Sequence, residues 1–154
     1  MKFLSTFVAV LSLGAATLTS AGAISPRRDA NWKDKAVTST AEDPLCSTQN
    51  FANINNIMES VDRIILRDPE RKYPQEVVIT GKRNVQGLRP GIDLRIHGTQ
   101  ELTPIKRIKE LLMEMPKHGI MRCGAISLAW PNQEPMSKHG WLQIDYTEDV
   151  KIQE

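Results

Sequence analysis

The sequence predicts an α+β fold: an antiparallel sheet of four or five strands with two helices packed on one face, in the split-βαβ or ferredoxin-like order. Three observations predict it. Apolar residues recur at helical spacing over 54–65 and again over 105–115. Apolar and polar residues alternate over 92–97 and 142–146, the period of a strand with one buried face. Proline and glycine interrupt the chain between these segments, at Pro69, Gly81, Pro116, Gly119 and Pro131.

Taken in order, Trp32–Thr38 is the candidate edge strand, although Lys33, Asp34 and Lys35 do not alternate. A helix follows from Ser47, with Ser47 or Thr48 as its N-cap. Its stripe is Ile54, Ile57, Met58, Val61, Ile64 and Ile65, and Asp68-Pro69 stops it, because the residue before proline avoids helical geometry. The β-branched run Glu76–Thr80 predicts a strand, and Ile92, Leu94 and Ile96 alternating with Asp93, Arg95 and His97 predict its partner. Gly81 to Gly91 between them reads as a long basic hairpin loop holding Lys82, Arg83 and Arg89. Thr103 is the expected cap of a second helix with Pro104 at its first position and Ile105, Ile108, Leu111, Leu112 and Met115 as its stripe. Cys123–Trp130 and Leu142–Tyr146 complete the strands, joined by a loop from Pro131 to Gly140.

The N-terminus carries a different kind of pattern. Lys2, an uncharged apolar stretch from Phe3 to Leu18 and the small residues Ala21-Gly22-Ala23 follow the order of a secretory signal peptide ending at residue 23. Ser5, Thr6, Ser12 and Gly14 interrupt that stretch, which is shorter than the roughly 20 residues of a spanning helix. The expected organisation is therefore a signal peptide at 1–23, a polar segment at 24–45, one α+β domain at 46–147 and a polar tail at 148–154. Arg27-Arg28 in the polar segment is a candidate dibasic processing site, and an exposed basic turn is the plainer reading of the pair.

Removal of the leader takes away one basic residue, so twenty basic against eighteen acidic groups become nineteen against eighteen. A product this near neutrality is not built to bind phosphate backbones, and nucleic acid is not an expected partner. In an oxidising compartment Cys46 and Cys123, the only cysteines, are expected to form one disulfide. Such a bridge closes a loop of nearly eighty residues, which constrains the unfolded chain by about 4 kcal/mol. No Asn-x-Ser/Thr acceptor occurs.

Chemistry-bearing patterns are sparse. Nucleophile-elbow, phosphate-loop and zinc-protease motifs are absent, the histidines lie far from any paired metal-ligand spacing, and no cofactor or metal is expected. With Glu76, Arg95 or Glu134 nearby in the fold, two of His97, His118 and His139 are candidates for the acid and base of RNA cleavage. Lys82, Arg83 and Arg89 are candidates for docking an acidic partner; without interleaved aromatics they form no base-stacking platform, and a solvated loop is the plainer reading. Trp130 and Trp141 flank the Pro131 to Gly140 loop as candidate partner anchors, with at least one expected in the core.

The leader Met1–Ala23, the Arg27-Arg28 pair, a product near 130 residues and the single pair Cys46 and Cys123 together resemble the layout of small secreted proteins of filamentous fungi, the candidate effectors of plant-associated species. The element order is also similar to the α/β-sandwich of virally encoded fungal killer toxins and the effectors that share it. The histidine set resembles, in kind, the small fungal ribonucleases. Resemblance to effectors implies a secreted, extracellular protein without enzymatic activity, with a role in virulence or competition and a protein partner in a host or competitor; the product is expected to be a monomer. Resemblance to the ribonucleases implies a secreted hydrolase instead.

Overall fold

A computed structural model of the chain describes residues 31–40, 46, 52–84 and 90–150. The signal peptide, the Arg27-Arg28 pair, Ser47, Thr48, Arg89 and the end of the tail lie outside the described residues. The fold is α+β. Five strands, β1 (Val37–Ser39), β3 (Val78–Arg83), β4 (Gly91–His97), β6 (Gly124–Ser127) and β7 (Trp141–Thr147), form one sheet in the order β1-β6-β7-β4-β3, and every neighbouring pair is antiparallel. A second, two-stranded ribbon pairs β2 (Lys72–Tyr73) with β5 (Thr103–Pro104). Helix α1 (Ile54–Arg67) lies between β1 and β2, α2 (Ile105–Glu114) between β5 and β6, and the single turn α3 (Met136–His139) between β6 and β7.

Both helical stripes and one face of the sheet merge into a single apolar cluster. Ile54, Ile57 and Val61 of α1 and Ile105, Ile108, Leu111 and Leu112 of α2 are completely buried. They join Ile92, Leu94 and Ile96 of β4 with Leu142 and Ile144 of β7, which face the same way because Leu94 stands opposite Ile144 and Ile96 opposite Leu142. Each such side chain contributes about 1.5–3 kcal/mol of burial, so the two long central strands anchor the fold.

The element ends differ from the sequence reading in ways that have local causes. The N-cap of α1 is Asn53, in place of Ser47 or Thr48: its side chain accepts from the backbone of Asn55 and Asn56, while Asn56 accepts from the Asn53 backbone N–H at 3.1 Å. This reciprocal box satisfies donors that a helix start leaves open. Pro104 is the extended N-cap of α2 and Thr103 a ribbon residue, because pairing with Lys72 and Tyr73 holds both residues extended, and the Ile105 N–H donates to the Arg71 carbonyl at 2.8 Å. The C-terminal side of α2 behaves as expected, tightening into a 3₁₀ turn (Met115–His118) that Gly119 closes at φ 76°.

The strand expected at Glu76–Thr80 runs instead from Val78 to Arg83. Glu76 is a turn residue at φ 63°, and Gly81, Lys82 and Arg83, expected in the loop, pair with Asp93, Ile92 and Gly91. The hairpin loop is shorter by that much. β6 stops at Ser127, since Trp130 N–H turns back to the Ser127 carbonyl and Ala129 N–H to its hydroxyl. Trp32–Asp34 form a 3₁₀ turn, leaving β1 three residues long at the sheet edge beside β6.

Cys46 and Cys123 form the expected disulfide, with Cα atoms 5.9 Å apart and both residues buried. Among the described residues no helix is long and apolar enough to cross a membrane.

Three surface carboxylates are held by lysines, Glu70 across elements and Glu114 and Glu134 within single turns. Hydrogen bonds from Lys106 to Glu70, Lys117 to Glu114 and Lys138 to Glu134 hold these carboxyls below the ordinary value of 4.5. A carboxyl lowered in the folded state contributes stability above its unfolded pKa and loses it as pH falls through the folded one. The urea midpoint is therefore expected to fall as pH drops below 4.5, and to fall less in 1 M salt, because exposed pairs are screened. A midpoint flat through that range contradicts this assignment.

Candidate functional site

The polar face of the sheet carries a connected group of polar side chains. Alternation along β4 turns Asp93, Arg95 and His97 away from the apolar cluster, and the register sets Asp145, Gln143 and Trp141 of β7 directly opposite them. An open groove of about 200 Å³ is lined by Asp93, Arg95, His97, Gln143 and Asp145, with Tyr146 and Thr147.

The groups in the groove are bonded to one another. Arg95 donates from Nε at 3.1 Å and from Nη2 at 2.6 Å to Oδ2 of Asp93, whose side chain is 4% exposed. That hydrogen bond, with the Asp93 charge beside it, raises the guanidinium pKa above its ordinary value against the opposing effect of burial. Trp141 Nε1 donates to Gln143 Oε1 at 2.9 Å, and Gln143 Nε2 donates to Asp145 Oδ2 at 2.7 Å. His97 Nδ1 lies 2.8 Å from Glu76 Oε1, and its ring stacks on Trp141 with centroids 5.4 Å apart. Two carboxylates standing opposite each other on neighbouring strands repel, and Arg95 offsets that repulsion.

Trp141 stacks beneath the groove's His97 without lining the groove itself. It is 9% exposed, packs with Ala125 and Met136, and meets the Trp32 ring edge-on at 5.3 Å, with Lys33 Nζ 5.0 Å from its centroid. Gly98 passes so close that a Cβ there would sit 2.6 Å from the Trp141 ring.

The remaining sequence candidates disperse. Trp130 packs against the main apolar cluster and meets His118 edge-on at 4.6 Å. Arg107 of α2 fastens this turn by donating to the carbonyls of Leu128 and Trp130. His139 lines a second groove, of about 230 Å³, with Leu102, Pro104, Arg107 and Leu128, and lies 3.8 Å from Glu134. Thus His97 faces one groove, His139 another and His118 the Trp130 turn. Lys82 and Arg83 are exposed at the end of β3.

Cys46, Cys123 and Asp145 bring sulfurs and a carboxylate within 4.8 Å of one another. Both sulfurs are joined in the disulfide, so neither is a thiolate able to ligate a metal.

Asp93, Gln143, Asp145, Trp32 and Lys33 were not marked by sequence reasoning. The alternation of Asp93, Arg95 and His97 puts three polar groups on one side of a strand, which is the pattern that points to this face. Which strand lies opposite is a matter of register. No family model matches the chain, and no curated protein matches its sequence.

Proposed function

We propose that the chain is a secreted, non-enzymatic interaction protein, an effector or toxin-like module that acts on a protein of a host or competitor by surface recognition with the polar face of its sheet. Residues 1–23 direct export, the product works outside the cell as a monomer, and the buried Cys46–Cys123 bridge suits an oxidising compartment. The split-βαβ reading, with both helices on the apolar side, is supported by the path from β4 through α2 to β6, two strands of the same direction with β7 inserted between them.

The observation that carries this reading is the state of the groove. Its polar groups are bonded to one another: on β4 Arg95 pairs with Asp93, and His97 Nδ1 lies within hydrogen-bond distance of Glu76 in the turn before β3. Side chains fixed in this way present a preformed polar pattern to a partner, with little ordering left to do on binding.

The second reading, a secreted ribonuclease, draws on the His97–Glu76 contact with Arg95 in the same groove. Against it, the second and third histidines stand elsewhere, and Asp93, Asp145 and Glu76 oppose an approaching phosphodiester with like charge. His97→Ala, His118→Ala and His139→Ala, each assayed on RNA, are expected to leave degradation at the background of the unsubstituted protein. Robust cleavage that His97→Ala reduces a hundredfold or more overturns the interaction reading.

A direct test expresses the full chain in a secreting host and examines the product. The expected mass begins at Ile24 or, after dibasic processing, at Asp29, with no free thiol. Crosslinking that product to host extract is expected to give one saturable partner, lost in Asp145→Arg and retained in Lys109→Ala on the helical side. Cytosolic retention with Met1 intact and both thiols reactive removes the basis for the proposal.

A further inference from the structure

The C-terminal tail fastens the end of the β3–β4 hairpin. Val150 is 2% exposed, although Glu148 and Asp149 just before it are open to solvent. Its side chain packs over two glycines on neighbouring strands: a Cβ on Gly81 would lie 2.6 Å from Val150 Cγ1, and a Cβ on Gly91 2.7 Å from Val150 Cγ2. Gly91 is the partner of Arg83 in the last rung of the ladder, and beyond it the Asn84 N–H donates to the Pro90 carbonyl at 3.0 Å. Glycine weakens a strand because it has no side chain to pack, so Val150 supplies the apolar cover that this end of the hairpin lacks.

The segment fastened in this way carries Lys82-Arg83, both exposed, with no ion pair or side-chain hydrogen bond among the described residues. Two other pairs of adjacent basic residues lie among the described residues, and both are held. The Arg71 carbonyl is bonded to Ile105 and Lys72 is paired with Pro104, while Lys106-Arg107 is wound into α2 with Arg107 bound to the carbonyls of Leu128 and Trp130. β3, in contrast, is an edge strand paired only with β4. Bonded and non-bonded pairs alternate along an antiparallel ladder, and Asn84 is bonded to Pro90, so the N–H and carbonyl of Arg83 point off that edge.

We propose that the Arg83–Asn84 bond is a processing site for a serine endoprotease of basic specificity, and that Val150 is the clasp that closes it. Such an enzyme takes one basic side chain into an acidic pocket and pairs with the residues before the cut as an extended strand. Arg83 offers that extended backbone, on an open edge, with an unengaged guanidinium. Lys82, opposite Ile92, turns to the helical side and takes no part in the pocket. While Val150 is seated, Arg83 is kept on its rung beside Gly91, and the bond stays out of a protease cleft. When the tail lifts, the last rung loses its cover and opens. Cleavage adds water across the Arg83–Asn84 amide, leaving a carboxylate on Arg83 and an amine on Asn84. The Cys46–Cys123 bridge spans the cut, so the two pieces remain one molecule. The clasp stands apart from the polar face as a recognition surface, and neither depends on the other.

The test is limited digestion of the full chain by trypsin with the bridge intact, sampled over time and mapped by mass after reduction. Cleavage after Arg83 is expected to be about tenfold or more faster in Val150→Asp than in the unsubstituted protein, the factor that one buried valine represents in an opening equilibrium. Cuts after Lys72 and Arg107 are expected to keep their rates, and the nicked product to run as one species until it is reduced. Hydrogen exchange on the same two proteins is expected to quicken at Gly81–Arg83 and Gly91 and to stay unchanged in α1 and α2. Equal rates at Arg83 in the two proteins, an acceleration shared equally by Lys72 and Arg107, or a cut that maps to Lys82 in place of Arg83 overturns the proposal. Where Val150→Asp loses its far-ultraviolet spectrum, Val150→Ala takes its place and is held to the same selective acceleration at Arg83.

Discussion

Replacing Cys46 and Cys123 together with serine is expected to lower the free energy of unfolding by about 4 kcal/mol, within the 2–5 kcal/mol usual for such bridges. The half-cystines are separated by 77 positions, and a closed loop of that length removes much of the unfolded chain's entropy. The fold is expected to persist, because most of the main apolar cluster is built from α1, α2, β4 and β7, none of which contains a cysteine, while the two serine hydroxyls that replace buried sulfurs add a desolvation cost of their own. Two measurements check this in urea: the midpoint falls, and the slope of the transition rises as the unlinked chain unfolds to a more expanded state. Both sulfurs are buried, so a reductant is expected to act on the bridge only as fast as the surrounding structure opens. A loss under 1 kcal/mol, or reduction at the rate of an exposed model disulfide, contradicts this account.

Trp141→Ala is expected to cost about 3–5 kcal/mol, the range for removing a large buried aromatic. The indole is stacked on His97, met edge-on by Trp32, covered by Gly98 and bonded to Gln143, so its loss leaves a cavity and an amide oxygen without its donor. Trp141→Phe restores most of the volume and is expected to cost nearer 1 kcal/mol plus a smaller cavity term. The pair distinguishes packing from recognition. If Trp141 were chiefly a partner anchor, alanine would leave the urea midpoint within 0.5 kcal/mol of the unsubstituted protein on conversion and abolish partner capture alone. Deletion of the ring also frees His97 and the Trp32 turn, so faster hydrogen exchange is expected at His97 and over the Trp32–Asp34 turn.

The two helices, the central strands and the cysteine pair were legible because each rests on a pattern inside a short window. Ile105, Ile108, Leu111 and Leu112 announce a buried stripe wherever the helix docks, and Ile92, Leu94 and Ile96 announce a half-buried strand whatever stands beside it. The ends of those elements were less legible. Ser47 and Thr48 have the chemistry of a cap, and so does Asn53; the choice fell to Asn53 because Asn56 completes the box. Thr103-Pro104 has the local pattern of a helix start, but pairing with Lys72 and Tyr73, some thirty residues earlier, holds it extended. Gly81-Lys82-Arg83 reads as loop because glycine and two cations are poor strand formers; pairing with β4, with Val150 packed over the glycines, makes it strand.

By itself, the sequence determined that two amphipathic helices and alternating strands must share a core, and that the paired sulfurs had one partner each. Periodicity and a count of two cysteines suffice for that, since both are properties of the chain read locally. Only the tertiary structure decided that Asp93 stands opposite Asp145, that Trp141 meets Trp32 edge-on and stacks on His97, and that Val150 packs over Gly81 and Gly91. Those are matters of register and of contact between residues dozens of positions apart, where the free energy depends on which surfaces meet and no short window contains both.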